Sequence, residues 1–351
     1  VIKYIGSKRR LVPVLAELFQ RSGARTALDA FTGTTRVAQE LKRQGIRVTA
    51  VDTARYAKVF ADCWIATDAG TVDRRALADE IARLGALPGE AGYVTETFCR
   101  ASRFFQTHNG ERIDAIRSAI ERDHPDGPLR PLLLASLLLA ADRVDSTTGV
   151  QMAYVKQWSA RSHRPLELRV PDLLDGPGDS MRGDVVALAP TLAPVDLAYL
   201  DPPYNQHRYE SNYHVWETIV AWDAPEHYGV ACKRTDLRDP SGRSPFNGRR
   251  TMPGALRALI AGVRADVLVV SYNDESWIGR EELIEMCSQR GEVRFLAFDS
   301  RRYVGATIGV HSPTGERVGE PGRLRNEEWI VVAGPGPVVE RMTAAPLSTH
   351  Q

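Results

Sequence analysis

Metal-ligand spacing, long apolar runs and a glycine-rich dinucleotide fingerprint are all missing from this chain of 351 residues. Cysteine is scarce: Cys63, Cys99, Cys232 and Cys287 lie far apart. Such sparse use argues for a reducing cytoplasm and against both a disulfide framework and a zinc site. The eight histidines are scattered without an H-E-x-x-H pair, so no bound metal is expected. The most apolar stretch, "PLLLASLLLAA" at residues 131–141, is too short for a bilayer span of about 20 residues and reads as a buried helix. The opening "VIKYIGSKRR" has no apolar segment ahead of its charges, so export is not expected. An excess of one charge sign is missing too. The formal net charge of +1 implies no nucleic-acid partner and excludes none, because binding needs a local basic face rather than a basic average.

What is present is an alternation of strand and helix patterns at both ends of the chain. "RTALDAF" reads as a short buried strand entering a turn, "TTRVAQELKRQG" as a helix closed by Gly45, and "RVTAVD" as the next strand. Near-continuous apolar strands in β-α-β succession predict an α/β fold with a parallel sheet covered on both faces. Later come "VDLAYL", "VLVVSY", "VRFLAF", "YVGATIGVH" and "EEWIVVA". The last two flank a Gly- and charge-rich connection and read as an antiparallel pair at the sheet edge. Between the two strand-bearing regions, "RALADEIARLG", "ERIDAIRSAIERD" and "PLLLASLLLAADRVD" are helical by period and length. A helical insert over 54–175 therefore interrupts an α/β domain made of 1–53 and 176–335, and 336–351 is expected to be a loose tail.

Ligands of open parallel sheets bind beyond the carboxyl ends of strands, and three acids fall at such ends: Asp29, Asp52 and Asp201. In "DAFTGTT", Gly33 lets the backbone approach a ligand at a helix N-terminus, although an ordinary βα turn has the same look. Asp52 can accept both hydroxyls of a ribose, or cap the next helix. "LAYLDPPY" is more specific. Pro202 and Pro203 fix φ and remove two N–H donors, leaving carbonyl oxygens to accept. A carboxylate and a proline carbonyl side by side suit an exocyclic amino group, and Tyr204 offers a flat face for a heterocycle. Acceptors held at the amino hydrogens favour a pyramidal nitrogen whose lone pair can attack an electrophile.

"DPPY" after an apolar strand, preceded by "DAFTG", resembles the S-adenosylmethionine-dependent amino-methyltransferases. The order "YIGSK", cofactor turn, long insert, "DPPY" resembles class α, the Dam-type adenine-N6 DNA methyltransferases, in which the insert carries target recognition. The resemblance runs from Tyr4 to about Ala333 and is weakest in the insert. It implies a Rossmann-like methyltransferase sheet, mostly parallel with an antiparallel edge strand, and S-adenosylmethionine as cofactor. "KYIGSK" matches the family's K-W-x-G-G-K segment, with Tyr4 at the aromatic position and Lys8 at the lysine. Asp52 matches the acid that holds the cofactor ribose, and "MRGD" places Asp184 near the cofactor adenine. Asp29, Phe31 and Gly33 belong to the cofactor turn. Asp201, Pro202, Pro203 and Tyr204 form the catalytic motif, with Asp201 touching both reaction partners. Ser7 and Thr35 depart from the pattern, each standing where the family commonly has glycine.

Methylating an amino group inside a duplex requires flipping the base out, so the implied partner is double-stranded DNA. A cognate restriction endonuclease is an optional companion, and a cytoplasmic monomer is expected. Asn205, His207, Arg208 and Tyr209 follow the motif and are candidates to face the opened duplex, while Trp216, Ile219 and Val220 read as core. The stretch from Lys233 to Arg250 has six basic and two acidic residues, with Lys233, Arg234, Arg249 and Arg250 as candidate phosphate contacts. "KQWSARSHR" adds Lys156 and Arg161 around Trp158, and "FDSRRYVGATIGVH" with "GRLRN" adds a further basic rim. Each of these is equally a solvated face. Competing readings keep the enzyme but change the acceptor to cytosine-N4, RNA adenine or a protein glutamine, and the motif's Asp favours adenine. A DNA-binding protein that retains the fold without turnover is the reading from another class.

Overall fold

The computed structural model describes residues 2–4, 8–152, 154, 157–203, 209–239, 244–301, 310–311, 317–319 and 325–347. The strands are β1 (Thr26–Asp29), β2 (Arg47–Asp52), β3 (Gly178–Arg182), β4 (Val195–Leu200), β5 (His227–Tyr228) and β6 (Lys233–Arg234). They continue with β7 (Ala265–Asn273), β8 (Glu292–Arg301), β9 (Val310–His311), β10 (Arg317–Gly319) and β11 (Arg325–Gly334). Seven of them join in the order β3-β2-β1-β4-β7-β11-β8. The pairs β2–β3, β1–β4 and β4–β7 are parallel, whereas β11 runs antiparallel to β7 and to β8. This is a Rossmann-like α/β sheet. The central strands are buried almost throughout, as the near-continuous apolar runs of β4 and β7 require of a sheet covered on both faces.

One sequence-based pairing differs. "EEWIVVA" lies in β11, which pairs residue for residue with β8 from Arg325–Arg301 to Gly334–Glu292, and on its other side with β7. Val310 and His311, from "YVGATIGVH", instead form a two-stranded ribbon with β10, and residues 302–309 lie outside the described residues. The antiparallel strand thus sits one place in from the edge, and β8 is the edge. Both sides of β11 are taken up, by β8 and by β7.

The chain divides into two compact units. Unit 1 holds Val1–Val12, Phe31–Val185 and His207–Arg243, and unit 2 holds Pro13–Ala30, Val186–Gln206 and Ser244–Gln351. Over 54–175 the described residues form helices and turns and no strand. The first turns after β2 pack onto β2 and β3. The helix Arg55–Ala61 runs into a π turn at Asp62–Ala66, and the buried Lys42 amine donates to the carbonyls of Ile65 and Thr67, both at 2.7 Å. A π turn leaves its last carbonyls short of donors, and Lys42 supplies them. Gly178 of β3 meets this turn so closely that a Cβ would stand 2.5 Å from the Ile65 oxygen. The helix Arg130–Val144 is buried on nearly all sides, as its apolar composition demands, and no helix of the described residues is long and apolar enough to cross a membrane.

In unit 2, the Asp196 carboxylate of β4 accepts the N–H groups of Arg25 and Thr26 at 2.7 and 2.9 Å and fixes the start of β1 against β4. The expected loose tail opens with a helix, Gly336–Thr343, whose Val339 and Met342 are buried. Arg341 donates to the carbonyls of Arg21 and Ser22, both at 2.8 Å, and Arg21 donates to Met342 O at 3.2 Å. Two apolar residues spaced three apart suffice when arginines hold the helix end.

Candidate active site

In unit 1 the acid-bearing ends of β2 and β3 are adjacent. Asp52 is paired in register with Arg182, and the N–H of Gly183 donates to Asp52 O at 2.9 Å, so exposed Asp184 follows directly beside it. The Asp52 side chain is held by backbone. Its Oδ2 accepts the Gly33 N–H at 2.8 Å and its Oδ1 the Ala54 N–H at 2.9 Å. Burial raises this carboxyl above its ordinary value, and the N–H groups of Ala54, Gly33 and Thr53 pull it back down.

Gly33 has φ +49°, and a Cβ there would lie 3.2 Å from the ring of Tyr4. Both the conformation and the space call for glycine. Two residues on, Thr35 adopts φ 62° at the cap of the helix Arg36–Arg43, with its side chain fully buried. This is the left-handed conformation that glycine takes freely, and a β-branched residue there stores strain. Phe31 is half-buried at the start of the same turn, and Lys8 is buried in the short 3-10 turn Lys8–Arg10.

Tyr4 is one rung of an aromatic ladder. Its ring stacks on Tyr213 at 4.6 Å and on Tyr209 at 5.4 Å, and Tyr213 in turn stacks on Trp216 at 4.9 Å. Tyr56 meets Tyr4, Tyr213 and Trp216 edge-on, and the Tyr4 and Tyr56 hydroxyls are 3.1 Å apart. Burial raises the Tyr4 phenol well above its usual range, with Tyr56 and Asp52 adding to the effect. Glu217 accepts the Tyr56 N–H at 3.1 Å and pairs with Arg55 at 3.4 Å. Tyr56, Tyr213 and Glu217 went unnoticed in the sequence, although Tyr209, Tyr213 and Trp216 have the i, i+4, i+7 spacing of one helix face.

In unit 2 two further acids close parallel neighbours. Asp29 ends β1 and is paired with Tyr199, whose carbonyl accepts the Ala30 N–H at 3.1 Å. Asp201 is the first residue after β4, half-buried, followed by buried Pro202 and half-buried Pro203. The strand order reverses between β1 and β4, which is where open α/β sheets bind their ligands. Tyr204, Asn205, His207, Arg208 and Lys156 lie outside the described residues.

The described candidates for DNA contact fall in different settings. Arg249 and Arg250 are exposed ahead of the helix Met252–Gly262. Lys233 is half-buried in the β5–β6 ribbon, where burial lowers its amine. Three others are built into the fold. Arg234 is buried and forked onto Asp223 at 2.7 and 2.6 Å and onto Asp236 at 2.8 Å. Arg161 spends its donors on the side chain and carbonyl of Asp145 and on Thr147 O. Tyr209 stacks on Tyr4. Trp158, beside Arg161 in sequence, lies under the Arg103 guanidinium at 4.7 Å.

A model of the D12 class N6 adenine-specific DNA methyltransferases matches residues 4–245. The chain is 29% identical over 319 residues to the type II methyltransferase M.NlaIII of Neisseria lactamica, covering 86% of this chain and 92% of that one. It is 26% identical to the modification methylase StsI of Streptococcus sanguinis, covering 82% of this chain, and 26% identical to the type II methyltransferase M.FokI of Planomicrobium okeanokoites, covering 83%. It spans about half the length of these two, 46% and 47%.

Proposed function

The chain belongs to the D12 class N6 adenine-specific DNA methyltransferase family, and we propose that it methylates adenine at a specific DNA sequence with S-adenosylmethionine as donor. The observation that carries the division of roles is the pair of parallel neighbours β1 and β4, closed by Asp29 and by Asp201-Pro202-Pro203.

Asp52 and Asp184 suit the nucleoside part of the cofactor. A carboxylate has about four lone-pair sites, and the backbone donors Gly33, Ala54 and Thr53 leave Asp52 room for a ribose hydroxyl. Gly33 keeps the turn open beside Tyr4, and Lys8, Phe31 and Asp29 complete the cofactor set carried over from the family pattern. When bound, the cofactor supplies a methyl group on a positively charged sulfur. Asp201 and the Pro202 carbonyl accept the two amino hydrogens of the flipped adenine, and Tyr204 stacks on its ring. The adenine nitrogen would use its lone pair to form the new N–C bond as the donor's S–C bond breaks, its electron pair staying on sulfur and S-adenosylhomocysteine leaving neutral at that atom. One proton then leaves the cationic nitrogen for water or Asp201, so no strong base is needed.

Double-stranded DNA is the substrate in this reading, with residues 54–175 as the recognition segment. Arg249, Arg250 and Lys233 serve phosphates, together with Lys156, Asn205, His207 and Arg208. Arg161, Arg234 and Tyr209 shape the loops that reach DNA. A restriction endonuclease of the same specificity fits as a companion.

The test is Asp201→Ala, with nucleosides from methylated plasmid DNA measured by mass spectrometry. Wild-type protein should yield N6-methyladenine, and the variant should lose at least about 100-fold in rate while remaining folded. Full activity in the variant would overturn the mechanism, and N4-methylcytosine as product would overturn the choice of base.

A further inference from the structure

Lys3 and Arg161 converge on one buried carboxylate. Asp145 Oδ1 accepts from Lys3 Nζ at 3.0 Å and from Arg161 Nε at 3.0 Å, while its Oδ2 accepts from the Thr147 hydroxyl at 2.7 Å. Its side chain is 3% exposed. The carbonyl of Asp145 also accepts from Arg161 Nε at 2.8 Å and from the Ser159 hydroxyl at 3.1 Å. Lys3 is further tied to the same helix end, its Nζ donating to Asp142 O at 2.6 Å and its N–H to Asp142 Oδ1 at 3.3 Å.

Each arm of this junction leads somewhere different. Lys3 precedes Tyr4, which leans on Gly33 and, through the Tyr56 hydroxyl, on the turn after Asp52. Arg161 lies in the 3-10 turn Ala160–His163, in the loop that presents Trp158 and exposed Arg164. A third arm follows the chain from Asp145. Gln151 donates its N–H to Asn212 O at 2.7 Å, takes the Val215 N–H on its side chain at 3.0 Å, and accepts from His214 Nε2 at 2.9 Å. That holds the start of the helix His214–Ala221, just beyond Tyr213 of the aromatic ladder. All three arms lie in unit 1.

A buried charge held by two cations links them: each bond there is strong and hard to replace with water, so fixing one cation fixes the carboxylate that holds the other. We infer that Asp145 is a positioning residue that couples DNA contact at the 157–164 loop to cofactor affinity at the Tyr4–Asp52 end. A DNA strand that orders the loop fixes Arg161, which sets Asp145, Lys3 and the Tyr4 ring in turn. Linkage makes the effect reciprocal: whatever DNA adds to cofactor affinity, cofactor adds to DNA affinity. The inference rests on the function proposed above.

The probe is S-adenosylhomocysteine, titrated calorimetrically with and without saturating unmethylated plasmid DNA. In the wild type DNA should tighten binding by a factor in the range of about 5–150. In Asp145→Asn the ratio should fall toward one. A loss of fold alone weakens binding with and without DNA alike and leaves the ratio where it was. Arg161→Met cuts only the loop's side, keeps the test open if Asp145→Asn does not fold, and must lower the ratio as well. A wild-type ratio of one, or an unchanged ratio in either folded variant, overturns the coupling. Protein that neither binds S-adenosylhomocysteine nor methylates plasmid DNA overturns the proposed function instead.

Discussion

The rings of Tyr4 and Tyr213 lie 4.6 Å apart and 15° from parallel. The stack joins the N-terminal segment to the residue that caps the helix His214–Ala221, within one unit. Tyr213 is fully buried, and Trp216 and Tyr56 complete its surroundings. Its contribution is therefore carried by the ring. Tyr213→Ala should cost about 3–5 kcal/mol, as large aromatic deletions from a core do. Tyr213→Phe keeps the stack, loses the long contact to Gly149 O at 3.5 Å, and should cost under about 1.5 kcal/mol. Urea unfolding measures both. Equal costs would mean that the hydroxyl matters rather than the stack.

Gly33→Ala strains the turn twice. An L-residue in the left-handed region costs about 1–2 kcal/mol, and the added methyl lies 3.2 Å from the Tyr4 ring. The expected outcome is a lower unfolding temperature and at least about tenfold weaker S-adenosylhomocysteine binding, equivalent to about 1.4 kcal/mol. Unaltered affinity in a destabilised variant would separate this turn from the cofactor.

His214 imposes a pH dependence of definite sign. Burial lowers its pKa from 6.5 to about 4, so between these values the unfolded chain binds a proton that the folded chain refuses. Its contribution to stability is complete above 6.5 and is lost as pH falls toward 4. Asp142 acts oppositely: burial lifts its pKa from 3.8 to about 6, so over that window stability drops as pH rises. The two partly cancel in the wild type. His214→Gln should remove the first slope, up to about 1.4 kcal/mol per pH unit, so that stability rises less, or falls more, than in the wild type as pH goes from 4 to 6. Chemical unfolding across that range measures it, and a profile parallel to wild type would mean that His214 is protonated in the folded chain.

Strands are readable from the sequence because β4 and β7 are buried on both faces over most of their length and carry near-continuous apolar runs. The acids at their ends were readable because parallel sheets bind ligands there. What stayed hidden depends on partners distant in the chain. Nothing in "EEWIVVA" says that it pairs with β8 rather than with "YVGATIGVH"; ten-residue register with Glu292–Arg301 decides that. A run of arginines does not disclose which one meets an acid after folding. Arg234 has Asp236 nearby in sequence as a hint, but Asp223 lies before a turn, and Asp145 reaches Arg161 only across the fold. Nor does the sequence disclose that Thr35 takes a left-handed φ of 62°, a conformation the folded turn imposes on it.

β2 and β3 are parallel neighbours, paired from Val48–Gly178 to Asp52–Arg182. The chain therefore leaves the sheet at one strand and returns at the next. Beyond the first turns that pack on these strands, the sheet constrains the excursion only to bring two ends back about 4.8 Å apart, and closing a longer loop costs only slowly increasing entropy. In evolutionary terms the geometry is permissive: the far helices of this stretch can lengthen or diverge while the strand pair that brackets them stays as it is.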